Sequence, residues 1–249
     1  MTSSPVVVAH RGSRYLWPEN TMTAFSGAVA TGASQVETDL RVTADGIVVC
    51  IHDATVDRTT DGSGRVAQLR FSEIRSLDGG YRHRGPDGFS FRGRGIGVPP
   101  LAELASSFPD LELVLDVKDG AVIPGLLGLF AAHNLYDRAV VGSFRESWLR
   151  DIRRMSGGRI RTSVGARGLR RWLAAPRSRP AADALHVPFQ YMGVRVVDDR
   201  LMTAASRVGV PVFVWTVNQP AEMRRLVDFG VTGIVTDRPD VASALSEAS

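Results

Sequence analysis

Two histidines stand in this chain where apolar runs give out: "VVVA" leads into His10 and Arg11, and "IVVCI" leads into His52 and Asp53. Imidazole has an ordinary pKa close to neutrality, so such a pair could take a proton from an attacking oxygen and return one to a leaving oxygen. Glu37 and Asp39 are two apart in "SQVETDLRV". In an extended segment that spacing turns both carboxylates to one face, while Thr38 points to the other. Two such carboxylates repel at neutral pH unless a cation lies between them. A solvated strand edge is the plainer reading, but flanking Val36 and Leu40 argue for burial. Asp116 and Lys118 repeat the spacing in "LVLDVK". Gathered in one place, the two imidazoles, Glu37, Asp39, Asp116, Arg11 and Lys118 would suit a hard divalent cation bound by oxygen ligands. The cationic side chains would then face an anionic substrate, for which phosphate is the natural candidate.

Other uses of these residues fit less well. A zinc site would be expected from a helical pair of histidines or a set of cysteines, and neither is present. A serine triad lacks the G-x-S-x-G elbow. His83, His133 and His186 read as structural or surface residues. The net charge of +4 could suggest nucleic acid, but basic residues are spread along the chain with no aromatic-rich basic stretch, so no nucleic-acid partner is expected. Within the 30 basic residues only Lys118 is lysine, the other 29 being arginine. Lysine offers a compact ammonium where arginine offers a planar fork, which marks Lys118 as a point charge in a crowded place, with chance as the alternative.

The elements that must position these groups alternate. "VVVA" is apolar on both faces, as a strand buried in a parallel sheet is. Asn20 reads as the N-cap of a helix running to about Thr31 and stopped by Gly32. After "SQVETDLRV" the chain repeats strand and helix through "LELVLDVK", "AVVGSF", "RIRTSVG", "ADALHVPF", "VPVFVWTVN" and "GIVTD", making eight strands, each but the second soon followed by a helix. With 249 residues this predicts one domain, residues 1–249, folded as an α/β (β/α)8 TIM barrel, with an open doubly wound sheet as the competitor. The barrel is favoured because His10, Asp39, Lys118, Ser143, Thr216 and Asp237 all fall at strand C-terminal ends, the face that carries catalysis in such barrels.

Asp45-Gly46 is a two-residue hairpin signal. It would pair Ala44 with Ile47 and set His52 opposite Asp39, beside the carboxylate pair. Residues 54–97 then break the rhythm with a loop-rich insertion, rich in Gly and Arg and weak in periodicity apart from "FSEIRSL", read as a lid over the barrel mouth. Its "GRGRGIG" is not a phosphate loop, because no strand precedes it and "VPPL" follows where a helix should start. No apolar stretch reaches the length of a membrane span, no signal segment precedes the first strand, and the single cysteine, Cys50, fits a reducing compartment. A cytoplasmic location is expected.

These motifs resemble the glycerophosphodiester phosphodiesterase family, whose barrels are akin to phosphatidylinositol phospholipase C. "AHRG", "PENT", "VETDLRVTADGIVVCIHD", "DRTT", "VPPL", "LDVK" and "VWTVN" occur in the family's order over nearly the whole chain. The resemblance implies a metal-dependent barrel enzyme, using Mg2+ or Ca2+, that hydrolyses a small-molecule glycerophosphodiester to an alcohol and sn-glycerol 3-phosphate. It implies that His10 and His52 are the acid/base pair, that Glu37, Asp39 and Glu19 lie at the metal, and that Arg11, Lys118, Asn20 and Trp215 meet the substrate. It also implies attack by the glycerol 2-hydroxyl and a cyclic phosphate that water opens. The family usually has Glu where Asp116 stands, so Asp116 would reach the ion less directly. A related phosphodiesterase of the lysophospholipase D or sphingomyelinase D kind, and a catalytically inactive phosphodiester-binding barrel, are the competing readings.

Overall fold

A computed structural model describes residues 5–174, 180–191 and 193–247. Eight strands run parallel: β1 (Val6–Ala9), β2 (Gln35–Val42), β4 (Glu112–Val117), β5 (Ala139–Gly142), β6 (Arg161–Thr162), β7 (Leu185–Pro188), β10 (Val212–Trp215) and β11 (Gly233–Thr236). β3 (Val48–Cys50) pairs antiparallel with β2 alone, and β8 (Gln190–Tyr191) forms a small hairpin with β9 (Val194–Arg195). The ladder runs β6-β5-β4-β2-β1-β11-β10-β7. Its two ends meet in a parallel bridge between Ser163 and Ala184, reinforced by the Asp183 amide donating to the Thr162 carbonyl at 2.7 Å. The ring is thereby closed, the barrel expected from the alternation.

Helices cover the outside: α1 (Met22–Ala30), α3 (Leu101–Ser107), α4 (Ile123–Ala132), α5 (Glu146–Met155), α6 (Ala166–Ala174), α7 (Asp199–Val208), α8 (Pro220–Asp228) and α9 (Pro239–Glu247). Their apolar stripes seal against the outer faces of the strands in one core that includes Phe25, Leu104, Leu126, Phe130, Leu149 and Leu201. Inside the ring Val8, Val114, Ala184, Phe213 and Val235 pack together. Strands apolar on both faces are thus buried on both faces, the physical reason for their unbroken Val, Ile and Leu runs.

The insertion, which carries the short α2 (Phe71–Arg75), is less loose than its composition suggests. Val56, Val66, Ile74 and Val98 build a small core of their own with Val49 and Ile51 on the far side of β3. Beyond it, α3 supplies the helix that the second strand otherwise lacks. Cys50 is buried and unpaired, and burial pushes its thiol up to about 12, so it is packing and not a reactive group. Among the described residues no helix is long and apolar enough to cross a membrane.

Two local expectations are corrected. Thr21, not Asn20, caps α1, accepting from the Ala24 amide at 3.2 Å. Asn20 has φ 57 and its side chain turns away to the acidic residues. The β2–β3 register pairs Leu40 with Cys50 and Val42 with Val48. The turn is therefore one residue longer, with Gly46 at φ 83, and Ile51 rather than His52 donates its amide to Asp39, at 2.9 Å. His52 lies just past the last paired residue, released from strand alternation.

Candidate active site

Adjacent strand ends bring the first histidine to its partner. The β1–β11 register sets Ala9 beside Thr236, so the next residues, His10 and Asp237, emerge side by side. His10 Nδ1 is 2.7 Å from Asp237 Oδ1. Asn218 holds that carboxylate from behind: its Nδ2 donates to Asp237 Oδ2 at 2.9 Å, while its Oδ1 accepts from the Asp237 amide at 2.9 Å. With Nδ1 engaged, Nε2 is the nitrogen left to exchange protons, and it lies 4.0 Å from Glu37 Oε2. The chain then makes a left-handed turn through Arg11, Gly12 and Ser13. A Cβ on Gly12 would lie 2.8 Å from Ala24, so only glycine lets the turn press on α1. The turn aims the Arg11 amide at Glu37 Oε2, 3.0 Å away, and tucks its guanidinium beneath the rim, 3.1 Å from Asp39 Oδ2.

β2 and β4 supply the acids. Asp39 and Asp116 are neighbours across the parallel ladder, with Glu37 on the same face of β2, and one oxygen of each lies within 4.8 Å of the others. Lys118 Nζ is 2.5 Å from Asp116 Oδ2 and 3.1 Å from Asp39 Oδ1. Burial, with Asp39 and Asp116 close by, drives the Glu37 carboxyl well above its usual range. Burial also raises Asp116 against the pull of Lys118. Asp39 goes the other way: burial would raise it, but the Arg11 and Lys118 charges hold it low. Asp116 Oδ1 is buried without a hydrogen-bond partner among the described residues, and Asp39 Oδ1 meets only the Lys118 ammonium, in an ion pair. Three carboxylates at this spacing, one with an uncommitted oxygen and one unwilling to ionise without a nearby positive charge, fit a hard divalent cation.

The second histidine is arranged like the first. His52 Nδ1 lies 2.6 Å from Asp53 Oδ1. Arg58, from the insertion, donates from Nε to Asp53 Oδ2 at 2.5 Å and grips both oxygens of Glu19 at 2.8 and 2.9 Å. Arg11 Nη1 meets the same Glu19 at 2.9 Å. Glu19, which the motif resemblance placed at the metal, is thus held by two guanidiniums and is not one of the three clustered carboxylates. Although burial alone would raise it, the Arg58 bonds and the two cations bring it down to about 2. Asn20, expected at the substrate, spends its amide within the protein: Nδ2 donates to Asp39 Oδ2 at 2.9 Å and Oδ1 accepts from Thr38 Oγ1 at 2.8 Å. Trp215 ends β10 at the mouth, edge-on to the exposed ring of Phe144 with centroids 5.6 Å apart, and Lys118 Nζ is 5.6 Å from that ring. Away from the acids, His83 packs on Phe91, His133 meets Ser106, and His186 stacks on Phe213, where burial lowers it to about 4.

A profile of the glycerophosphoryl diester phosphodiesterase family matches residues 10–241, from the first histidine to the last helix. The chain belongs to that family. It is therefore an enzyme of the phosphodiesterase type, as its motifs imply. It is 34% identical over 243 residues to the glycerophosphodiester phosphodiesterase of Caldanaerobacter subterraneus subsp. tengcongensis, covering 94% of this chain and 95% of the relative. The crystal structure of a putative glycerophosphoryl diester phosphodiesterase from Silicibacter pomeroyi superposes with a TM-score of 0.82 at 26% identity, covering 100% of this chain and 95% of that one. An Oleispira antarctica phosphodiesterase, solved in complex with the product sn-glycerol-3-phosphate, shares the fold with a TM-score of 0.79 at 23% identity, over 99% of this chain and 98% of that one.

Four rim residues of this family member escaped the reading of its sequence as site groups. Asp237 stood out only as a polar strand end, and its pairing with His10 spans 227 positions. Asn218 lies three residues past β10, at the end of the family-like "VWTVN", a motif from which only Trp215 was singled out. Arg58 is part of "DRTT", whose arginine is one among 29. Phe144 follows the β5 strand end, where an exposed aromatic in "GSF" was a usable signal.

Proposed function

We propose that this protein hydrolyses small glycerophosphodiesters to an alcohol and sn-glycerol 3-phosphate at the barrel mouth, with a divalent cation, Mg2+ or Ca2+, held by Glu37, Asp39 and Asp116. The observation that carries the reading is the convergence of His10, the acidic trio and Lys118 on one rim, with His10 Nε2 4.0 Å from Glu37 and Asp116 Oδ1 buried without a partner among the described residues. The sn-glycerol-3-phosphate seen in the Oleispira relative supports the product class. The bound ion would supply positive charge to the phosphate oxygens. Arg11 and Lys118 add fixed cations on the same side, Arg11 aligned by Glu19 and Lys118 by Asp116. His10 and His52, each with Nδ1 on a carboxylate, present Nε2 as the proton-transfer atom: one takes the proton of the attacking hydroxyl and the other protonates the departing alkoxide. Asn20 orients Asp39, Trp215 and Phe144 form an aromatic wall for the alcohol half, and residues 54–97 serve as a lid on that side. The lysophospholipase-type alternative would use the same phosphorus chemistry on a lipid.

The purified protein, supplied with Mg2+ or Ca2+, is expected to release glycerol 3-phosphate from glycerophosphocholine or a related diester. A chelator should abolish turnover and added cation restore it. Neutral activity unaffected by chelation, or hydrolysis of lysolipids alone, would overturn this reading.

A further inference from the structure

We propose that Arg58 is a positioning residue that sets the His52 imidazole through Asp53 and couples it to Arg11 through Glu19; the proposal rests on His52 being a proton-transfer group, as above. Its guanidinium spends three N–H groups on two carboxylates: Nε on Asp53 Oδ2, Nη1 on Glu19 Oε2 and Nη2 on Glu19 Oε1. Each carboxylate also holds a rim group: Asp53 meets His52 Nδ1 with its other oxygen, Oδ1, at 2.6 Å, and Glu19 Oε1, shared with Arg58, meets Arg11 Nη1 at 2.9 Å. The chain of contacts His52, Asp53, Arg58, Glu19, Arg11, Asp39 therefore runs unbroken from one imidazole to an acid of the trio.

The bland reading is a surface ion pair, since the Arg58 side chain is 46% exposed and such pairs add little stability. Geometry argues otherwise. Asp53 is 30% exposed and has no other cation bonded to it among the described residues, so without Arg58 its carboxylate, and with it the His52 ring, is free to turn. Arg58 itself stands on a rigid turn, between buried Val56 and buried Thr60, where the Thr60 hydroxyl donates to the Val56 carbonyl at 2.8 Å. The insertion thus reaches the reaction centre through this side chain. A lysine could not replace it, because one ammonium cannot make the fork's parallel bonds to Glu19 while also reaching Asp53.

The test is a double-mutant cycle of wild type, Arg58→Ala, Asp53→Asn and the double variant, assayed with divalent cation for glycerol 3-phosphate release. Arg58→Ala should lower kcat about 10²-fold, the usual scale for a misplaced acid or base, with KM within about threefold. The double variant should be no slower than the slower single one, and Arg58→Lys should still lose about tenfold. A kcat within about twofold of wild type, losses that multiply, or a rise confined to KM would each overturn the proposal. Should Arg58→Ala not fold, Arg58→Lys carries the same comparison and wild-type kcat there refutes it. A readout free of turnover keeps this separate from the reading of the rim: in histidine-labelled protein, with His52 assigned through His52→Ala, the downfield Nδ1 proton expected of the Asp53 pair should vanish in Arg58→Lys. Its persistence there overturns the positioning role even if the wild type proves inactive on every diester.

Discussion

Asp237→Asn isolates what orients the first imidazole. Asn218 Oδ1 accepts twice, from the Asp237 amide at 2.9 Å and the Thr236 hydroxyl at 3.2 Å, so its NH2 is fixed toward position 237. An asparagine introduced there must offer its carbonyl to that NH2, which turns its own NH2 toward His10 Nδ1. Nδ1 then has to accept, the proton moves to Nε2, and the nitrogen facing Glu37 can no longer act as a base. Asp237 is only 7% exposed, so water is poorly placed to relieve the mismatch. A wrong tautomer held in an otherwise intact site costs about 10³–10⁴-fold in kcat, or about 4–5.5 kcal/mol of transition-state stabilisation. Steady-state release of glycerol 3-phosphate at neutral pH measures it, with thermal unfolding confirming that the variant is folded. A folded Asp237→Asn enzyme within about tenfold of wild type would refute the tautomer argument.

Lys118→Arg should raise KM by about 10–100-fold, because a planar fork cannot replace the compact ammonium lodged between Asp39 and Asp116; substrate titration at saturating cation reads this directly. Added Mg2+ or Ca2+ at a hundredfold above its dissociation constant should stabilise the fold by about 2.7 kcal/mol, a rise in Tm of about 5–10 °C that Asp39→Asn with Asp116→Asn should remove in calorimetry. Glu19 is held from its ordinary 4.5 down to about 2. Its contribution to stability, about 3 kcal/mol at most, is therefore complete above pH 4.5 and disappears as pH falls through about 2. Denaturant midpoints across that range should decline more shallowly for Glu19→Gln than for wild type.

Local periodicity in the sequence was enough to set out eight alternating strand and helix units and the faces on which the acids lie, while the Ser163–Ala184 bridge decided for a closed barrel over an open sheet. Strand pitch puts Glu37 with Asp39 and Asp116 with Lys118 on shared faces, and the unbroken apolar runs call for burial on both sides, whatever the rest of the chain does. Motif resemblance added the family. What periodicity cannot carry is anything set by register between distant strands or by competition for a partner. Tertiary structure decided that the β2–β3 turn holds one more residue, that Asn20 leaves the cap of α1 to Thr21 and serves Asp39, and that Glu19 pairs with Arg58 outside the acidic trio. It alone joined His10 to Asp237, because closing the ring sets the last strand against the first. Each of these outcomes depends on which polar group reaches a buried partner first in three dimensions, and a one-dimensional spacing holds no record of that contest.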